Sequence, residues 1–134
     1  MVIWRNKKET FSGRRFDSGL ERAVYQILLL RQKSGEFSNV ESQVHVLICG
    51  TKDHECSYKT KIESIVDFKC TRPDGSFIYV EAKGFPNEKW PLKLRLMRHY
   101  LDAPLELWEG TKHKPFLKET IISLELKNGR KVPL

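Results

Sequence analysis

The sequence predicts an α/β domain, a mixed central sheet flanked by helices, and three observations carry that expectation. Residues 62–85 read as two strands rich in β-branched and aromatic residues, joined by an Arg72-Pro73-Asp74-Gly75 turn. Leu20, Val24, Ile27 and Leu28 before them, and Leu92, Leu96 and Tyr100 with Leu94 and Met97 after them, recur at helical spacing. Alternation over residues 40–48 marks a further strand.

From the N-terminus, residues 1–16 carry Arg5, Lys7, Lys8, Arg14 and Arg15 without apolar periodicity. They are expected to be a basic flexible arm, lying along phosphates or simply solvated, with residues 17–134 as the single domain. The first helix opens at Asp17-Ser18-Gly19, runs to about Lys33 and stops at Ser34-Gly35. Glu21 has two readings within it. Ser18-x-x-Glu21 is a capping box that returns the carboxylate to the helix start; alternatively the carboxylate faces the hairpin.

In the strand over residues 40–48, Val40, Ser42, Val44, Val46 and Ile48 share one face, and Glu41, Gln43, His45 and Leu47 the other. Gln43 and His45 are polar residues on a half-exposed face, or contacts to DNA or water. The polar stretch from Cys49 to Lys61 reads as a loop. Cys49, Cys56 and Cys70 make an odd count, expected as free thiols; Cys49, His54 and Cys56 lack the C-x-x-C pair typical of structural zinc. In the helix over residues 90–100, Lys93, Arg95 and Arg98 occupy the polar side, as a solvated face or as phosphate contacts. Residues 104–110 read as a short strand, Lys112-His113-Lys114 as a loop, and residues 120–126 as a strand ending in an Asn128-Gly129 turn.

The hairpin concentrates the chemistry. Tyr79, Glu81 and Lys83 share one face of its second strand. Asp74 in the turn lies midway between positions 67 and 81, so Asp67 should oppose Glu81 on the same face. Carboxylates so placed sit about 5 Å apart and repel one another. A divalent cation between them reverses the sign, and oxygen donors suit Mg²⁺ or Mn²⁺. With the Lys83 amine alongside, these are parts suited to phosphodiester hydrolysis.

Composition sets the outer limits. The 134 residues suit one domain; 40% are hydrophobic and 31% charged, ordinary for a soluble protein and too apolar for general disorder. A net charge of +7 favours a polyanionic partner, nucleic acid ahead of membrane. No run approaches the roughly 20 apolar residues of a membrane helix, and residues 1–5 lack signal-peptide architecture, so a cytoplasmic location is expected.

Asp67 followed by Glu81-Ala82-Lys83 on the next strand resembles the D…(D/E)-x-K core of the PD-(D/E)xK nuclease superfamily. The order of elements is similar to that of its small phage endonucleases and Holliday-junction resolvases. Val66, not proline, precedes Asp67. The resemblance implies a restriction-endonuclease-like mixed sheet and a Mg²⁺-dependent endodeoxyribonuclease, with Mn²⁺ a substitute. It implies catalytic Glu21, Asp67, Glu81 and Lys83, and metal ligands Asp67, Glu81, Glu21 and the Ala82 carbonyl. DNA contacts are expected from Arg14, Arg15, Gln43, Lys93, Arg95 and Arg98. Its resolvases act as homodimers on branched DNA, which implies the same here, in a bacterial host cell if the chain is phage-encoded. The alternatives are a restriction- or transposase-type nuclease cutting duplex DNA, and a non-catalytic nucleic-acid-binding module of the same fold.

Overall fold

The computed structural model describes residues 9–11, 14–16, 18–49, 62–84 and 89–129. The loop with His54 and Cys56 lies outside them, as do Phe85-Pro86, residues 130–134 and the side chains of Arg14 and Arg15.

Two short strands, β1 (Glu9–Phe11) and β2 (Arg14–Phe16), pair antiparallel, so part of the expected flexible arm is an ordered ribbon. Helix α1 (Gly19–Lys33) follows, its first turn capped by the Ser18 hydroxyl, which accepts from the Glu21 amide at 3.1 Å. Strands β3 (Asn39–Cys49), β4 (Ile62–Thr71) and β5 (Phe77–Ala82) form an antiparallel meander. Helix α2 (Trp90–Tyr100) then crosses over to β6 (Leu105–Thr111), which runs parallel to β5; β7 (Lys114–Ile121) closes the sheet antiparallel to β6. The sheet order is β3-β4-β5-β6-β7. This is the mixed α/β architecture that the sequence predicts, consistent with a restriction-endonuclease-like fold.

The chain ends differently from expectation. Leu124–Lys127 is a short helix, α3, not the end of a strand. Ser123 accounts for the change: its hydroxyl donates to the Leu101 carbonyl at 2.7 Å and accepts from the Leu126 amide at 3.3 Å, so it caps a new helix.

Each sheet face carries a core. Ile78, Val80, Phe68 and Cys70 pack with Leu20, Val24, Tyr25 and Leu28 of α1, and burial pushes the Cys70 thiol up to about 12. Tyr79, Leu105 and Leu107 pack with Trp90, Met97 and Leu101 on the α2 side. The buried stripe of α2 runs through Trp90, Leu94, Met97 and Leu101, at spacings of three and four, whereas Leu92 is 57% exposed. Of the stripe expected through Leu92, Leu96 and Tyr100, with Leu94 and Met97 nearby, Leu92 faces solvent while Leu94, Leu96, Met97 and Tyr100 pack against the core.

Arg31 ties α1 across its face of the sheet. Its guanidinium donates twice to Glu106 on β6, at 2.7 and 3.0 Å, and pairs with Glu36. The Trp108 indole donates to Glu106 at 3.1 Å. A bidentate pair is directional, so it fixes the rotation of α1 and therefore where Glu21 points.

The β6–β7 turn depends on Gly110. Its φ is +104°, and a Cβ there would lie 2.3 Å from the Lys114 carbonyl oxygen. Gly75 also has positive φ, +91°, but open space around it. Gly110→Ala is expected to cost at least about 2 kcal/mol and Gly75→Ala about 1 kcal/mol, read by chemical denaturation; equal losses would remove the backbone clash as the cause.

Candidate active site

The site lies where β4 and β5 part. Their ladder runs from Thr71↔Phe77 to Phe68↔Val80, and the next step would pair Asp67 with Glu81, as the sequence predicts. At that step the carboxylates take over from the backbone. Asp67 Oδ2 accepts from the Ala82 amide at 2.8 Å, and Glu81 Oε2 accepts from the Asp67 amide at 3.3 Å. Each strand thus offers a side-chain acceptor to the other strand's N–H.

The same step is disturbed in β3. The β3–β4 register passes from Ser42↔Phe68 to Val44↔Val66 and leaves Gln43 and Asp67 without a backbone pair. Gln43 has φ +53°, in the left-handed region that a non-glycine residue seldom occupies. Both strands change faces there: Val40 and Phe68 belong to the α1-side core, Val44, Val46 and Val66 to the α2-side core. In an unbroken strand residues of one parity keep to one face. The single face expected for Val40, Val44 and Val46 is therefore split at Gln43, beside Asp67. The Gln43 side chain donates to Glu21 Oε1 at 3.1 Å, so Gln43 is a support for Glu21.

Glu21, 6% exposed, approaches from α1; Glu81, 3% exposed, lies on the α2 side. Glu21 is close enough that its charge bears on Asp67. The capping reading of position 21 holds for its backbone, through Ser18, while its carboxylate turns to Gln43 and the acidic cluster.

Two lysines flank the cluster. Lys83 sits with its ammonium 5.0 Å from the centre of the Trp90 ring, and its charge bears on Glu81. Lys93 corrects an expectation. Its ammonium donates to Glu81 Oε1 at 3.0 Å and to the Ile65 carbonyl at 2.7 Å, inside the site rather than out on a polar helix face. Position 93 adjoins the stripe through Trp90, Leu94 and Met97, which turns it toward the sheet. Arg95 and Arg98 lie about 160° and about 140° around the helix from Lys93. They line a separate cleft of about 440 Å³ with Glu119, Ile122 and Leu124, where Arg98 pairs with Glu119. The expected DNA-contact set is therefore divided between two surfaces. Trp90 is 8% exposed and serves packing, and His45 is exposed beside Glu63.

The electrostatics follow from burial. Asp67 is held well above the ordinary carboxylate range, first by burial, then by repulsion from Glu81 and Glu21; the Ala82 amide and the Lys93 charge pull the other way. Burial also raises Glu81, opposed chiefly by Lys93. Among the described residues no group of three or more His, Cys, Asp or Glu side chains is arranged to hold a metal ion. The donors still suit Mg²⁺, which commonly takes one or two carboxylates and completes its shell with water and substrate phosphate. A positive charge already stands at Glu81 in the form of the Lys93 ammonium, so a buried carboxylate there demands a cation.

A family model described as "Protein of unknown function (DUF1064)" matches residues 1–114. The chain belongs to the DUF1064 family. The DUF1064 match spans Glu21, Gln43, Asp67, Glu81, Lys83 and Lys93, and excludes most of β7 and all of α3. No curated protein and no solved structure matches the chain.

The raised carboxyls make a signed expectation for the DUF1064 chain. A folded-state pKa above the unfolded value means that folding favours the protonated form. That contribution is full below the ordinary aspartate value of 3.8 and is lost as pH rises through the raised value. Without divalent metal, Asp67→Asn should match the wild type in stability at low pH and exceed it near neutrality by about 1–2 kcal/mol. That is a gain of several degrees in Tm. Thermal melts from pH 3 to pH 8 in EDTA read the difference; a variant less stable at pH 7 would contradict the charge repulsion inferred at Asp67.

Proposed function

We propose that the protein is a metal-dependent DNA endonuclease of the PD-(D/E)xK type, structure-selective for branched DNA. The observation that carries the reading is the convergence of Asp67 and Glu81 at the opening between β4 and β5, with Lys83 and Lys93 beside them. The net charge of +7 supports an anionic polymer as substrate.

In this reading Asp67 and Glu81 would hold Mg²⁺ or Mn²⁺, the Ala82 carbonyl would add a donor, and Glu21 would act through water. The ion supplies a bound water of lowered pKa and a positive charge for the scissile phosphate. The chain's own residues do the rest. The Ala82 amide fixes Asp67 Oδ2, and Gln43 fixes Glu21. Lys83 orients the attacking hydroxide or stabilises charge that develops on the phosphate. Trp90 confines the Lys83 ammonium to the mouth of the site.

Branched DNA as substrate and a homodimer as the active form are part of the proposal. Phe116 and Leu117 on the edge strand β7 and Ile122 and Leu124 just beyond it are each more than 40% exposed and support an apolar contact between copies. No helix among the described residues is long and apolar enough to cross a membrane; the cytoplasm of a bacterial host is the proposed location. One observation favours a non-catalytic DNA-binding module instead: Lys93 already neutralises Glu81.

Incubation of labelled four-way junction and linear duplex with Mg²⁺, Ca²⁺ or EDTA decides among these. Cleavage of the junction is expected with Mg²⁺ alone, slowed at least about 100-fold by Lys83→Ala. Preference for linear duplex would favour the restriction- or transposase-type alternative. Binding without any cleavage in Mg²⁺ or Mn²⁺ would leave the non-catalytic module.

A further inference from the structure

We propose that Lys93 is the resident counter-ion of the acidic site, occupying Glu81 until a divalent cation displaces it. The inference rests on the metal-dependent reading above and adds to it a residue of α2 that sets the site's demand for metal. The geometry is specific. The Lys93 ammonium meets Glu81 Oε1 at 3.0 Å, and the Glu81 side chain is 4% exposed against 24% for Lys93. The Ile65 carbonyl takes a second N–H at 2.7 Å, and the Trp90 ring lies 5.8 Å away. Glu81 Oε2 is meanwhile held by the Asp67 amide. The carboxylate oxygen open to a cation is thus the one that carries the ammonium.

Lys83 and Lys93 have different tasks in this arrangement. Lys83 directly follows β5, two residues from Glu81, and its amide donates to the Trp108 carbonyl at 2.9 Å, which holds its backbone against β6. Lys93 reaches Glu81 from another element through a four-carbon stem, so it can withdraw without moving the sheet. A divalent ion must overcome one ammonium on Glu81 before it binds. The protein gains a neutralised core when metal is scarce, and its metal affinity is set lower than that of the same carboxylates without Lys93. Lys93 is therefore a positioning residue that acts through Glu81.

The test measures binding of Mn²⁺ to the full chain by calorimetry, without DNA, for the wild type, Lys93→Met and Lys93→Arg. Lys93→Met should bind Mn²⁺ at least about tenfold more tightly than the wild type, since a competing charge is gone. Its metal-free Tm should fall by several degrees, and Mn²⁺ should restore it. Lys93→Arg keeps the charge and should bind Mn²⁺ no more tightly than the wild type. A Lys93→Met protein that binds Mn²⁺ equally or more weakly overturns the inference. If that variant does not fold alone, failure of Mn²⁺ to rescue it has the same force. Where the wild type cleaves DNA with Mg²⁺ but Lys93→Met gains no affinity, Lys93 alone is misassigned. Where the wild type neither binds Mn²⁺ nor cleaves, the nuclease reading falls and this inference with it.

Discussion

The structure depends on a substitution of hydrogen bonds. Where β4 and β5 would next pair backbone to backbone, Asp67 and Glu81 accept the amides instead. A buried N–H must find an acceptor, so the sheet can open here only because those acceptors are at hand. The opening places two buried carboxylates together, and their desolvation and mutual repulsion must be met by protonation or by a positive charge. Lys93 meets it from α2, while Arg31 and Gln43 settle Glu21 from the other face. The acidic cluster is thus made by the strand pairing and not merely attached to it.

Much of this was legible in the sequence because it is local. The Arg72-to-Gly75 turn fixes the hairpin register, and that register brings Asp67 to Glu81 whatever the rest of the chain does. Alternation sends Tyr79 to the α2 side and Ile78 and Val80 to the α1 side, as read. The helix at Ser18 and its cap are likewise set within a few residues.

What the sequence concealed depends on partners far along the chain. The face switch at Gln43 leaves no mark in the alternation of Val40, Ser42, Val44 and Val46, because parity holds while the backbone turns over. Lys93 looked like one of three equivalent cations on a polar face. The spacing of Trp90, Leu94, Met97 and Leu101 contains the correction, since it puts Lys93 and Arg98 on opposite flanks of the buried stripe and Arg95 away from it. Leu92 belongs to the expected stripe by spacing alone, because solvent is its neighbour, whereas Leu96 and Tyr100 of that stripe pack against the core. Ser123 ended β7 through a carbonyl 22 positions earlier, which no local pattern encodes.

The same contrast bears on function. A carboxylate pair with an amine two residues on is a short pattern, and taken as letters it describes many surface ion pairs. Burial changes its meaning. At the surface Glu81 would be neutralised by water and mobile ions, whereas at 3% exposure it must be met by a fixed partner or by a bound ion. The fixed partner is a lysine on a flexible stem, held by single hydrogen bonds to Glu81 and Ile65, with the centre of the Trp90 ring 5.8 Å from its ammonium. Contrast the bidentate, indole-braced Arg31–Glu106 pair, which a structural role calls for and which Lys93–Glu81 does not resemble. A protein that only needed to fill this part of its sheet would be served by apolar residues of similar size. Two acids and a singly bonded lysine kept there are what the proposed exchange of Lys93 for a divalent cation would require.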